Sequence, residues 1–151
     1  MVDTAEQPMN NLPKRQSFKK ITGQFTKQQT FNKIGKHLLT QLEVASNGAM
    51  CRYRADSGLM CAAGAIIPDD EYDEEMEGNA VNHIHSPTLR THDLFTVTRL
   101  QELHDNAWDL DCDLHKHWSE ALTTYACDHR LSIRWISTLL YTQGSSAQSG
   151  A

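Results

Sequence analysis

The sequence predicts a single small α+β domain, built mostly from about four helices with one β-hairpin. In several separate stretches, apolar residues recur every three or four positions, which is typical of helices with one buried face. Elsewhere two short apolar runs flank a turn cluster at 55–58 that contains a glycine, which favours a hairpin. The chain has 151 residues, of which 39% are hydrophobic, and this is enough for one compact core.

The two ends of the chain differ in composition from the middle. Residues 1–25 are rich in Gln, Asn, Lys and Pro and show no apolar period. Because such a segment buries too little surface to offset the entropy of ordering, we expect a disordered basic leader. The folded domain is predicted over 26–141, and the small polar residues of 142–151 predict a flexible tail.

The first helix is predicted over 27–45. Thr26, followed by Gln29 three residues later, has the pattern of a capping box. The turn residues of 46–48 end the helix. The apolar positions that define its buried face are Phe31, Ile34, Leu38, Leu42 and Ala45.

The hairpin is predicted with strands at about 49–54 and 59–66. The second strand consists of small residues, so we expect a bulky element, namely the first helix, to press against it. Side chains of a strand alternate between two faces. In the first strand one face carries Cys51 and Tyr53, and the other carries Arg52 and Arg54.

The segment after the hairpin is strongly acidic. Pro68 cannot continue a β-ladder, and Asp69 can cap a short helical turn. Seven acidic residues lie within 69–77, and the following stretch, 78–92, lacks a period and is predicted to be a loop.

Three further helices complete the prediction. Asp93 caps a helix at about 94–108, whose last buried position is either Ala107 or Trp108, and the next helix spans about 116–128. After a new cap at Ser132, the last helix carries the apolar residues Ile133, Trp135, Ile136, Leu139 and Leu140.

Charge is unevenly distributed along the chain. The net charge is −5, with +5 in residues 1–40 and −10 in residues 41–151. An acidic body has no general attraction for nucleic acid or acidic membranes, so we expect no direct nucleic-acid binding. No apolar stretch approaches the roughly 18 residues of a membrane span, and no secretory signal pattern is present. We therefore expect a cytoplasmic protein whose four cysteines are reduced.

Two Cys and two His suggest one metal-site hypothesis. Cys51, Cys61, His83 and His85 could bind zinc tetrahedrally. The two cysteines lie ten positions apart, however, whereas zinc motifs place two to four residues between them. Cysteine is also common in cores as a small hydrophobe, so we expect core cysteines and neither metal nor cofactor.

The acidic run 69–77 has three interpretations. It could hold a divalent ion, although it lacks the central glycine of a calcium loop. It could imitate a phosphate backbone for a nucleic-acid-binding partner. A solvated helix start, with acids at the positive end of the helix dipole, is the preferred interpretation.

Two further groups could carry chemistry. His104 and Asp105 could form a general base, but neighbours in sequence do not face each other on a helix, so catalysis is not expected. Arg52 and Arg54 could clamp a phosphate or a carboxylate, although pairing with the nearby acids is favoured in the free protein. The sequence contains no known hydrolase, nucleotide-binding or metalloprotease motif.

The stretch CRYRADSGLMCAAGAIIPDDEYDEEMEG resembles a family of small, uncharacterised proteins encoded by tailed phages and prophages. The shared segments are C-x-YR, CA-x-G-x-x-IPD and Y-x-x-x-MEG, and the later LQELHDNAW resembles the LQ-x-x-HD segment of the family. The similarity covers about 31–131. One departure is Ala65, where the family commonly has Cys. The matching positions are Cys51, Tyr53, Arg54, Cys61, Gly64, Pro68, Asp69, Tyr72, Glu77, Gly78, His104 and Asp105.

The resemblance implies a phage accessory protein in the host cytoplasm. With no catalytic motif, the leading prediction is stoichiometric binding that inhibits a host defence protein or a host transcription or replication protein. One alternative is a ligand-binding sponge or a small enzyme that acts on a nucleotide-type signal at the hairpin and IPD site. Another is a metal-stabilised structural module. The candidate binding residues are Arg52, Tyr53, Arg54, Asp69, Tyr72, Glu77, His104 and Asp105.

Overall fold

A computed structural model describes residues 24–108 and 110–139 of the chain. This part contains four helices, which are α1 (Lys27–Gln41), α2 (Leu94–Asp105), α3 (Leu114–His129) and α4 (134–139). A long irregular segment joins α1 to α2, and it includes three single turns of 3₁₀ helix at Glu74–Met76, Val81–His83 and Leu89–Thr91.

The start of α1 confirms the predicted capping box. The Thr26 hydroxyl accepts from the Gln29 amide at 3.1 Å, and the Gln29 side chain accepts from the Thr26 amide at 2.9 Å. The helix ends at Gln41, earlier than predicted, because Leu42 adopts a left-handed conformation with φ 53°. Its backbone N–H still donates to the Leu38 carbonyl, and the chain then leaves the helix.

The predicted β-hairpin is wrong, and the α+β class with it. Within the described residues the fold is helical without a β-strand, and pairing is limited to two isolated antiparallel bridges, Ser46 with Cys51 and Arg54 with Met60. The chain does reverse at the predicted turn, where Gly58 has φ 90° and donates to the Ala55 carbonyl at 2.9 Å.

Helical turns replace the second predicted strand. The Ala65 amide donates to the Cys61 carbonyl at 3.0 Å, and the Ile67 amide donates to the Ala63 carbonyl at 3.2 Å. The run from Cys61 to Ala65 lacks the β-branched and aromatic residues that favour strands, so nothing opposes this coiling.

A close backbone contact explains why the run from Cys61 to Ala65 is made of small residues. A Cβ atom added to Gly64 would lie 1.9 Å from the Tyr53 carbonyl oxygen. The expected close packing against small residues therefore exists, but the backbone of Tyr53 makes this contact.

The core lies where α1 packs against α2 and α3. Asp93 and Asp113 cap α2 and α3, as their side chains accept backbone N–H groups of the first turn. The predicted helices at 94–108 and 116–128 are thus confirmed with slightly different ends. The largest fully buried apolar side chains are Trp118, Phe31, Ile34, Leu38, Leu39, Leu89, Leu100, Leu122 and Val97.

The ends of the predicted domain are described only in part. Phe25 donates its backbone N–H to the Thr91 carbonyl at 2.7 Å and stacks on His92 with 4.2 Å between ring centroids. Residues 1–23 of the predicted leader, and the predicted tail, 142–151, lie outside the described residues. Among the described helices, none has the length and apolar character needed to cross a membrane.

Candidate functional site

The Glu77 carboxylate is the centre of a polar junction. Its two oxygens accept the backbone N–H groups of Tyr53 at 2.9 Å and Arg54 at 3.0 Å. The Tyr72 hydroxyl donates to the same carboxylate at 2.7 Å. The Glu77 side chain is only 14% exposed. Glu77 therefore takes the place of a strand partner for the segment that was predicted to be β.

Arg54 is held from several sides. Its guanidinium pairs with the Asp69 carboxylate and donates to the Ile67 carbonyl at 2.7 Å. It also lies over the Tyr72 ring, 4.7 Å from the centroid. The favoured pairing with nearby acids is present, so this guanidinium is already used within the protein.

Two neighbours extend the junction. The Arg52 Nε donates to the Arg54 carbonyl at 3.2 Å and lies 3.8 Å from a Glu77 oxygen. The Tyr53 hydroxyl donates to the Asn79 carbonyl, and burial raises the pKa of this phenol. The structure thus brings together six of the eight predicted site residues, Arg52, Tyr53, Arg54, Asp69, Tyr72 and Glu77.

His104 and Asp105 form a second group at the end of α2. The prediction that they do not face each other is wrong, because His104 Nδ1 and Asp105 Oδ1 are 2.9 Å apart. His104 is fully buried, and its ring stacks on Trp118 with centroids 6.0 Å apart. The Gln101 amide also donates to the Asp105 carboxylate, at 2.8 Å.

The hydrogen bonds of His104 determine its tautomer. Its Nε2 accepts the Ala45 backbone N–H at 3.0 Å, so Nε2 carries the lone pair and Nδ1 carries the proton. Nδ1 then donates to Asp105. Since both nitrogens are used, His104 has no free lone pair with which to act as a general base.

Cys51 completes a compact group with these two residues. One potential ligand atom from each of Cys51, His104 and Asp105 lies within 4.8 Å of the other two. Among the described residues, this is the cluster of three side chains that could hold a metal ion. A metal bound at Nδ1 of His104 would require a proton on Nε2, which already faces the Ala45 N–H. Burial, together with the charge of Asp105, raises the pKa of Cys51 to about 12, so its sulfur stays a thiol.

The predicted zinc ligands are not brought together. Cys61 is buried, its sulfur accepts the Gly64 amide at 3.3 Å, and burial raises its pKa to about 12. His83 and His85 are exposed and line a cavity beside the acidic segment, whereas Cys51 lines other cavities.

A cavity of about 360 Å³ connects the two groups of predicted residues. Arg52 and Tyr53 line it on the junction side, and Asp105 and Cys51 line it on the side of α2. Sequence reasoning missed Gln101, although the spacing of Gln101 and Asp105 places them on one helix face.

An exposed apolar surface lies beside the loop that carries Met50. Met50, in this loop, is 56% exposed, and Trp108 and Leu110, which follow α2, are 44% and 45% exposed. The Trp108 indole N–H donates to the Ser46 hydroxyl at 2.8 Å, which fixes the ring at the base of this loop. Of the two residues that the pattern offered for burial at the end of α2, Ala107 is the buried one.

Comparison with known proteins identifies no relative of this chain. No protein-family model matches the chain, and neither a curated protein nor a solved structure is detectably similar to it.

Proposed function

We propose that this chain is a non-enzymatic binding protein that captures one host protein in a stoichiometric complex. In this proposal it acts as a phage accessory protein that inhibits a host defence protein or a host transcription or replication protein. The observation that carries the proposal is the exposure of Met50, Trp108 and Leu110, with the Trp108 ring hydrogen-bonded to the loop that carries Met50. Exposed aromatic and methionine side chains that are fixed in place are typical anchors of protein interfaces.

The chemistry of the polar groups supports binding over catalysis. Glu77 and Arg54 are engaged by internal partners, and both nitrogens of His104 are hydrogen-bonded. Cys51 has a raised pKa, which is the opposite of what a nucleophilic thiolate needs.

Charge defines the chemistry of the partner. Residues 100–115, which include Trp108 and Leu110, contain five acidic residues and neither Lys nor Arg. Two of these acids, Asp105 and Asp111, are exposed on either side of Trp108 along the chain. We expect a partner with an apolar recess for the indole and a basic rim around it.

Site-specific photocrosslinking in the bacterial host tests this proposal. A benzophenone amino acid at position 108 should give an adduct with one host protein, in amounts that approach one to one. The same probe at position 95 is the matched control, since Phe95 is 50% exposed but lies in the first turn of α2, whereas Trp108 follows the end of that helix.

The identified protein then allows a quantitative test. Calorimetry with the purified partner should show one-to-one binding that Trp108→Ala weakens at least about tenfold, as loss of an interface anchor does, while Phe95→Ala leaves it unchanged. Equal crosslinking from both positions, or binding that ignores Trp108→Ala, would contradict the proposal.

A second candidate function rests on the cavity of about 360 Å³. Arg52, Gln101 and Asp105 offer a cation, an amide and a carboxylate to a small polar ligand, which agrees with the alternative of a sponge for a nucleotide-type signal. Native mass spectrometry of protein purified from the host should then show a bound small molecule, and Gln101→Ala should abolish it.

A further inference from the structure

The exposed face of α1 is positively charged. The helix contains three lysines and neither Asp nor Glu. Lys33 and Lys36 are exposed, and neither forms an ion pair with any residue that the structure describes. With Thr40 one turn further along, they line a groove of about 480 Å³.

The floor of this groove is fixed by hydrogen bonds. The Met60 amide donates to the Gln41 side chain at 3.0 Å, and the Gln41 amide donates back to the Met60 carbonyl at 3.0 Å. The ring of His37 also contacts this carbonyl, with 2.8 Å between Nε2 and the oxygen. Because its floor is held in this way, the groove is formed before anything binds in it.

The acidic segment presents a complementary cavity of about 330 Å³. The exposed acids Asp70, Asp73 and Glu75 line it, and the buried side chains of Met76 and Ile84 supply an apolar floor. In the described part of the chain these three carboxylates form no ion pair, and the sequence has neither Lys nor Arg between Arg54 and Arg90.

We propose that the α1 groove and this acidic cavity are the two halves of one interface, through which copies of the chain associate head to tail. A lysine suits the cavity, because its aliphatic stem can cover the apolar floor while its ammonium group reaches the carboxylates. The proposed occupant is a second copy of the chain, since one chain carries both surfaces, with opposite charges that form no ion pair among the described residues. This proposal uses none of the residues on which the proposed function rests.

Head-to-tail contacts have two measurable consequences. Each added copy leaves one groove and one cavity free, so association does not stop at a dimer unless a ring closes. Exposed ion pairs are individually weak and are screened by salt, so the assembly forms at high protein concentration and dissociates at high ionic strength.

Sedimentation of the full chain tests the proposal. In about 20 mM salt, where screening is weak, the average mass should rise with concentration beyond that of a dimer, and in about 500 mM salt it should return to the monomer. Lys33→Glu with Lys36→Glu should keep the protein monomeric in low salt, as should Asp70→Lys with Glu75→Lys. Lys116→Glu with Arg134→Glu is the control, because it makes the same charge change as the first pair at exposed positions outside the groove.

Mixing the two charge-reversed variants provides the decisive measurement. Each is expected to be monomeric alone, but an equimolar mixture brings the unchanged basic groove of one variant to the unchanged acidic cavity of the other and should associate again. A wild type that stays monomeric in low salt would overturn the proposal. Association that survives either reversal, or a mixture that fails to restore it, would overturn it as well.

Discussion

At the scale of single residues, Glu77 shows how one side chain can replace a structural element. Its carboxylate accepts two consecutive backbone N–H groups and the Tyr72 hydroxyl at a site that is mostly shielded from water. The sequence placed Glu77 in a charged run and suggested a binding role. The structure gives it internal partners instead, which a periodic pattern cannot reveal because those partners lie 23 and 24 positions away.

We expect Glu77→Ala to lower the free energy of unfolding by about 2–4 kcal/mol, since it leaves two part-buried backbone donors and the Tyr72 hydroxyl without an acceptor. Glu77→Gln should cost less, because it keeps one acceptor oxygen. Urea denaturation followed by circular dichroism measures both.

The control for this prediction is Glu74→Ala, which removes an exposed acid of the same segment and should change stability by less than about 0.5 kcal/mol. Equal stability of the Glu77→Ala and Glu74→Ala variants would show that the hydrogen bonds of the junction contribute nothing to stability.

At the scale of elements, helices were predictable and the hairpin was not. The caps of α1 and α2 and the apolar period of α3 are local signals, and each helix begins within about two residues of the predicted start. The predicted strands depended on a pairing partner, and alternation in a short run cannot show whether one exists. Here Glu77 supplies the acceptors and the run from Cys61 to Ala65 coils.

A substitution at Gly64 tests how closely the run from Cys61 to Ala65 packs against Tyr53. Gly64→Ala would force its methyl group against the Tyr53 carbonyl, so we expect a loss of about 3 kcal/mol. Gly48→Ala is the informative comparison: its φ of 90° is unfavourable for alanine but no atom lies within 4 Å of the added Cβ, so the cost should be about 1 kcal/mol.

Thermal and urea unfolding of both variants measures this difference. The reverse order of stability would mean that backbone conformation, and not the contact with Tyr53, limits this position.

At the scale of the whole molecule, the same reasoning explains which site residues could be predicted. The resemblance and the charge pattern selected residues around Glu77 that the structure brings together, because they are close in sequence to one chain reversal. Gln101 and the exposed Trp108 were missed, since their roles depend on how α2 packs against the 46–51 loop. Sequence periodicity did not decide which residue at the end of α2 is buried.

Global stability should depend on pH through His92. This residue is buried, its Nδ1 lies 3.0 Å from the Thr30 hydroxyl, and burial, with a contribution from Lys33, lowers its pKa from 6.5 to about 4. Between these two values the unfolded chain binds more protons than the folded one, so the free energy of unfolding rises with pH. Stability is complete above about pH 6.5, and about 3 kcal/mol is lost by about pH 4.

His92→Asn should flatten this part of the pH profile, as it removes the titrating ring. His85→Asn, at an exposed position, should keep the profile of the wild type. Urea unfolding at about pH 5 and about pH 7 measures the pH dependence of stability for the wild type and both variants. Parallel profiles for all three proteins would rule out His92 as the origin of this dependence.

The contact between Glu77 and the backbone of Tyr53 and Arg54 also has a consequence for the order in which the chain assembles. It closes a loop of more than 20 residues with two hydrogen bonds, whereas the helices form from local contacts. We therefore expect the junction to be among the last parts of the described chain to assemble and among the first to open. Arg54, Tyr72 and Glu77 all contact one another, so opening the junction breaks these contacts together. We expect this region to open as one cooperative unit while the core around Trp118 stays packed.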